Sequence, residues 1–466
     1  SKKMIKYLLK INLILLSTQL IAQINDSTQL RAIYTYNLTQ GNCYENLRSL
    51  CKDVGNRLSG SHSAQKAVEW AALLMEKTKL DTIYFQRIMV PHWVRGKTEL
   101  VSWKNKKGSI VNVNCTALGG SVGTNGVLKG DLIEINNWNQ LEEYGEKLIK
   151  GKIVFFNRPM NPTYISTGMA YGNCVDQRHN GASRAVEYGA IAVIVRSMTL
   201  KFDKNPHTGS MSYTDSTKKI PAVAISTKDA HDLSEALKIN NVKSLSLELS
   251  CKQLPDTVSY NVIGEIKGSK FPEEIILVGG HLDSWDIGEG AHDDGAGVVQ
   301  SLQVLETFKK MNIKPKRTLR CVMYMNEENG NRGGEHYANM VRNNSEKHLF
   351  ALESDRGGFS PRGFSIDGNK LQLEYLQTFK NLFEPYQLHI FSKGYSGVDI
   401  GPLKDGKLCL VGLVPDSQRY FDYHHSKEDV FENVHKRELE LGASAITSIV
   451  YLVDKYGLPS SESIKK

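Results

Sequence analysis

The chain has 466 residues, of which 40% are hydrophobic and 23% charged, the balance of an ordinary globular protein with enough apolar material for a sizeable core. Disorder and fibrous structure are excluded as its main state. Half of the formal net charge of +8 is carried by Lys2, Lys3, Lys6 and Lys10; the rest is spread without a basic run, so nucleic acid is not an expected partner.

Residues 1–22 read as a secretory signal peptide. Lys2, Lys3 and Lys6 precede the apolar stretch Tyr7 to Leu16, and the region closes near Ala22 before Gln23-Ile24-Asn25-Asp26,. Lys10, Asn12, Ser17, Thr18 and Gln19 interrupt the apolar character, which leaves it short for a span of ~20 residues. The mature chain is expected to begin near Gln23, to be secreted or periplasmic, and to have no stable membrane insertion once the signal is removed.

Three regions follow. Residues 23–117 open with helical patterns over Ser27 to Glu45 and Ser63 to Lys79, separated by the turn-rich Gly55 to Ser61, and continue into strand-like Thr82 to Val90 and Thr98 to Trp103,. Residues 118–250 change to short β-branched runs split by Gly and Pro: Gly126 to Ile135, Lys152 to Phe156, Ala190 to Arg196 and Ile220 to Ser226,. Helix-like pieces stand at Ala182 to Tyr188 and Asp229 to Lys238, and the block has no cluster of metal-ligand type. Residues 251–466 alternate apolar strand-like and helix-like runs, the signature of an α/β domain on a doubly wound or mixed sheet. The seven cysteines form no CxxC pair, so mostly buried free thiols are expected. Cys43 and Cys51 would stand about 12 Å apart on a helix, too far for a bridge. Cys115 and Cys251, flanking the middle region, are the pair left open.

In the last region three apolar strands end and ionisable residues follow at once. Glu274 to Gly280 runs into His281-Leu282-Asp283, Thr318 to Met325 into Asn326-Glu327-Glu328, and His348 to Leu352 into Glu353-Ser354-Asp355. In open α/β sheets ligands bind beyond the carboxyl ends of strands, so these endings can converge. Asp293-Asp294-Gly295 opens an apolar helix through Val298, Val299, Leu302, Val304 and Leu305, and His424-His425 follows the run Leu408 to Val414. Taken singly, Glu327-Glu328 reads as an acidic helix start, Asp293-Asp294 as a helix cap, His424-His425 as a surface pair and Asp355 as a turn former. Jointly they read as a metal site, and imidazole with carboxylate ligands suits zinc, cobalt or manganese.

Together these runs resemble the M28 family of co-catalytic zinc exopeptidases. The carrying residues are Gly279 to Asp286, Gly290 to Gly295, Glu327-Glu328, Glu353-Ser354-Asp355 and Tyr423 to Ser426. Val90 to Gly96, Gly279 to Asp286 and Tyr420 to Ser426 look closest to its carboxypeptidase Q branch. The resemblance implies a mixed-sheet, phosphorylase/hydrolase-like peptidase domain built from 23–117 and 251–466, with 118–250 inserted as a β-rich protease-associated (PA) domain. It implies two zinc ions per chain. Asp293 would bridge them, His281 and Asp355 would complete one site, and Glu328 and His425 the other. Glu327 would be the general base, and the Asp283 carboxylate would fix the His281 tautomer. It also implies a cis Asp293–Asp294 bond, a peptide substrate and a homodimer. The expected activity is hydrolysis of dipeptides or short peptides. Glutaminyl cyclase-type acyl transfer on a single zinc and a non-enzymatic binding protein on the same fold are the alternatives. Glu327 and Glu328 would point to opposite faces of a regular strand, so the backbone is expected to turn there, with Gly330, Gly333 and Gly334 close by.

Overall fold

The computed structural model describes residues 25–214 and 218–459; the signal segment and its expected end at Gln23 lie outside the described residues. The expected first helix is two, 25–40 and Cys43–Ser49, interrupted at Gly41-Asn42. After the turn through Gly55 to Ser61, the helix His62–Lys77 starts where the Ser61 side chain accepts the Ala64 N–H at 3.0 Å, a cap that satisfies one of the orphan donors of a first helical turn.

The principal sheet has eight strands in the order Thr82–Val94, Lys252–Ile266, Arg317–Tyr324, Phe271–His281, Lys347–Glu353, Cys409–Pro415, Pro361–Asp367, Ile390–Lys393. It is mixed. Arg317–Tyr324, Phe271–His281, Lys347–Glu353 and Cys409–Pro415 run parallel as consecutive neighbours, while the pairs flanking them are antiparallel. The parallel strands are apolar nearly throughout because helices cover the sheet. The helix Ala296–Lys310 is buried from Ala296 to Phe308 and shares one core with Ile446, Ile449, Val450 and Val453 of the helix Lys436–Tyr456.

Two smaller sheets account for the change of texture in the middle of the chain. One has four strands: Ile110–Val113, Glu99–Asn105, Val242–Leu249 and Leu128–Gly130. The other has five: Cys115–Ala117, Ala222–Ile225, Ala192–Arg196, Ile153–Phe156 and Leu132–Ile135. Strands ahead of residue 118 therefore pair with strands inside 118–250. The chain leaves the eight-stranded sheet after Val94 and re-enters it at Lys252, directly beside the strand it left. All seven cysteines are free, Cys115 and Cys251 included. No described helix is long and apolar enough to cross a membrane.

Candidate metal centre

The three strand endings singled out in the sequence meet because their strands are adjacent and parallel. In register, His281 lies opposite Tyr324 and Gly279 opposite Glu353, so His281, the Asn326–Glu328 turn and Asp355 emerge along one edge. The loop that follows His281 is held by a residue far away in sequence. Arg57, fully buried, donates from Nε to the Leu282 carbonyl at 2.7 Å, from Nη2 to that of Gly290 at 2.9 Å and from Nη1 to that of Gly55 at 3.1 Å. Gly290 sits at φ +59, and a Cβ there would meet the Ser284 Cβ at 2.3 Å. With the Arg57 guanidinium in place, no Cβ fits at position 290.

The Asp293–Asp294 peptide bond is cis, as the resemblance implies, and the two carboxylates face different ways. Asp294 points beneath the site, where Oδ2 accepts the His281 N–H at 3.0 Å and Oδ1 accepts the Gly297 N–H at 3.0 Å. It ties the end of the strand to the start of the helix. Asp293 points into the site. Its own N–H, with that of His292, is held by the Asp429 carboxylate at 3.1 and 2.7 Å.

Around Asp293 the expected residues gather on two sides. On one side, Oδ1 is 3.1 Å from His281 Nε2, and Asp355 Oδ1 lies 3.5 Å from the same nitrogen. On the other, Oδ2 is 3.2 Å from His425 Nε2, which is 3.1 Å from Glu328 Oε2. The other Glu328 oxygen accepts the Trp285 N–H at 3.2 Å. Glu327 approaches from the first side, its Oε2 3.9 Å from His281 Nε2. His281 is fully enclosed, whereas the Glu327 and Asp355 side chains keep 17% and 18% exposure, so the open side of the site is theirs.

Asp283 takes a different part from the one the resemblance implies. Its backbone carbonyl, 3.0 Å from His281 Nδ1, is what fixes the imidazole tautomer; the carboxylate stands 3.7 Å away. That carboxylate instead accepts the N–H groups of Asn326, Glu327 and Glu328 at 2.8, 3.1 and 3.2 Å. The turn between strand and glutamates is made by Asn326 at φ +78, with Asn331 at φ +52 farther on, rather than by Gly330, Gly333 or Gly334. Asn is one of the few non-glycine residues that enters this region readily, and here three hydrogen bonds to one carboxylate hold the bend.

His424 and His425 stack with ring centroids 3.5 Å apart. His424 Nε2 is 3.5 Å from Asp293 Oδ2, closer than a bystander need be. His281, Asp293 and Asp355 form one group whose ligand-type atoms lie within 4.8 Å of one another, and Asp293, His424 and His425 form another. His425 differs from His424 in that its Nε2 touches both Asp293 and Glu328 while Nδ1 faces the Thr208 carbonyl at 3.2 Å.

The donor set fits divalent cations. Asp293 Oδ2 and Asp355 Oδ1 are buried without a hydrogen bond, a costly condition for carboxylate oxygens unless a cation meets them. The electrostatics of the protein alone show the same imbalance. Burial, then the charge of Asp293, pushes Glu328 up to about 7. Burial, partly offset by His281 but reinforced by Asp355 and Glu328, holds Glu327 well above the carboxylate range. Burial would lower His425, yet Glu328 and Asp293 raise it to about 9. All three shifts are upward: burial and neighbouring carboxylates raise the acids, and the carboxylates beside His425 raise the imidazole,.

Arg57, Asp294, Asp429 and Thr208 were not assigned a role from sequence. Asp294 carried a signal as half of the Asp293-Asp294 helix-cap pattern and Asp429 as an acid after the His425-Ser426 pair, whereas Arg57 lay in a stretch read only as a turn.

The fold and the site together define a hydrolase of the metallopeptidase class. The description Peptidase family M28 matches residues 261–450. Carboxypeptidase Q of Mus musculus is 32% identical over 420 residues, covering 90% of this chain and 87% of that protein. A crystal structure of a peptidase M28 precursor from Shewanella amazonensis superposes with a TM-score of 0.88 at 31% identity, covering 94% of this chain and 99% of that one. A zinc aminopeptidase from Bacillus subtilis has the same fold, with a TM-score of 0.65 at 21% identity over 88% of this chain and 94% of its own. The chain belongs to peptidase family M28, a family of zinc metallopeptidases.

Proposed function

We propose that the protein is a secreted metallo-exopeptidase with two zinc ions, acting on dipeptides or short peptides. The observation that carries this reading is the Asp293 carboxylate, which turns one oxygen to His281 at 3.1 Å and the other to His425 at 3.2 Å, the disposition a bridging ligand needs. His281 and Asp355 would hold one ion with Asp293, and Glu328 and His425 the other. Zinc is supported by the family and by imidazole and carboxylate donors without a thiol. When bound, the ions supply Lewis acidity, lowering the pKa of water and stabilising negative charge on the scissile carbonyl oxygen.

The chain's own residues supply the rest. Glu327, on the open side and outside the close contacts around Asp293, takes the proton of the attacking water and passes it to the leaving nitrogen, a role worth typically 10²–10⁴-fold. Burial raises the proton affinity of its carboxylate in the metal-free chain. Asp283 positions Glu327 and Glu328 through the backbone, and Asp429 and Arg57 do so for Asp293 and its loop.

Residues 118–250 are proposed as a PA domain, residues 1–22 as the signal peptide, and a second copy of the chain as partner. Exposed Phe85, Met89 and Leu254 on the paired strands Thr82–Val94 and Lys252–Ile266 are available to such a partner.

The deciding experiment offers free dipeptides against N-blocked and C-blocked peptides, with zinc content measured in parallel. Turnover of dipeptides with two zinc equivalents is expected. One equivalent with cyclisation of N-terminal glutamine would replace this reading by glutaminyl cyclase chemistry, and a monomeric mass at micromolar concentration would remove the dimer.

A further inference from the structure

The middle of the chain reaches the metal centre through His207 and Thr208, with Arg178 Nη1 3.5 Å from His425 Nδ1 and the Tyr171 ring against His424. His207 and Thr208 lie between the strands Ala192–Arg196 and Ala222–Ile225. His207 is 3% exposed, its backbone N–H donates to Ser197 Oγ at 2.8 Å, and its ring Nδ1 is 2.6 Å from the His424 carbonyl oxygen. A carbonyl only accepts, so Nδ1 carries the hydrogen. Thr208 donates its N–H to the His425 carbonyl at 2.8 Å, and its own carbonyl accepts from His425 Nδ1 at 3.2 Å. Its hydroxyl is anchored on the Ala117 carbonyl at 2.7 Å. Three hydrogen bonds therefore cross from residues 207–208 to residues 424–425.

The conformation they hold is an uncommon one. His425 has φ +58, a left-handed region that non-glycine residues seldom enter. Rotation about that φ turns the peptide plane joining His424 to His425, and the His424 carbonyl belongs to that plane. Of the three bonds, the one from His207 is the only one donated by a side chain of the middle region, and it falls on that carbonyl. Turning the plane would swing the His425 ring away from Asp293 and Glu328.

We propose that His207 is a positioning residue for the metal centre: its Nδ1–H fixes the peptide plane before His425, so that Nε2 of His425 faces Asp293 and Glu328. The inserted sheets then take part in metal binding rather than merely covering the site. The proposal rests on the two-metal reading above.

Two polar replacements separate hydrogen bonding from simple packing. In His207→Asn the amide nitrogen can stand where Nδ1 stands, whereas in His207→Gln it stands nearer to Nε2. Zinc affinity is read by chelator competition, together with zinc content and thermal unfolding of the metal-free proteins. We expect H207Q to lose about 10–100-fold in affinity for one of its two equivalents, the usual cost of removing an outer partner of a metal ligand, while H207N stays close to the unchanged protein. Equal affinities in all three proteins would overturn the proposal, as would equal weakening of both variants. A stoichiometry of one zinc in the unchanged protein would correct the two-metal reading, and the contrast between Gln and Asn on that single equivalent would still decide the role of His207.

Discussion

The Asp283 carboxylate accepts the backbone N–H of Glu327 at 3.1 Å, and through this bond a residue just past His281 sets the place of the proposed general base. The same carboxylate holds Asn326 and Glu328, so the turn that presents both glutamates is organised around one anion. Replacing Asp283 with Asn removes the charge and puts an amide N–H₂ against backbone donors. Each hydrogen bond to a charged group is worth ~1.5–3 kcal/mol, so D283N is expected to lower the stability of the metal-free protein by at least that much and to reduce turnover. Wild-type thermal stability and activity in D283N would refute the organising role.

Substituting Glu327 with Gln keeps the shape and removes the proton acceptor. Hydrolysis is expected to fall by about 10²–10⁴-fold while zinc content stays at two equivalents. Loss of one equivalent would move Glu327 into the set of metal ligands.

His424 and His425 both approach Asp293 Oδ2, at 3.5 and 3.2 Å, but only His425 also contacts Glu328. His425→Ala is therefore expected to lose one zinc equivalent and nearly all activity. His424→Ala, which removes a stacked neighbour, should keep both metals and lose activity far less. The reverse order, measured by metal analysis and kcat, would exchange their roles.

Metal removal should leave a pH-sensitive protein. Burial raises Asp429 to about 7 and Glu353 to about 8, Glu328 stands at about 7, and Glu328 and Asp293 lift His425 to about 9. All four groups bind protons more tightly folded than unfolded, so the stability each contributes is lost as pH rises through its folded value. His207 and His292, lowered to about 4 by burial, act in the opposite sense, but only below the ordinary histidine value near ~6.5. Between about pH 6.5 and 9 the chelated protein is expected to lose thermal stability steadily, with zinc abolishing most of the slope. A melting temperature that is flat or rising over that window would show that the buried acids are neutralised by other means.

Much of the centre could be read from the chain alone. Ionisable residues placed at once after apolar strands are legible because strand ends in a parallel sheet converge, whatever the details of packing. His281, Glu327, Glu328 and Asp355 were found in this way, and the structure brings them together with Asp293 and His425. The α/β character of the last region followed from its alternating runs in the same manner. Local signals went astray where nonlocal partners decide the backbone. The helix expected from Ser27 to Glu45 breaks at Gly41-Asn42, where the Asn42 N–H is taken by the Gln303 side chain at 3.0 Å. The turn after Met325 was expected, but the part of Asn326 in it was not legible, because the three hydrogen bonds to Asp283 join residues more than forty positions apart.

What the sequence by itself determined is the set of chemical groups and the strands that carry them, since composition, periodicity and spacing are local properties. Tertiary structure alone decided which groups hold which. Arg57 supports a loop more than 220 residues away, the Asp283 carbonyl rather than its carboxylate faces His281, and His207 and Thr208 reach across more than 210 residues to His424 and His425. Those pairings depend on hydrogen bonds between segments that only folding makes neighbours, and a buried donor or acceptor takes whichever partner the packing brings within 3 Å or so.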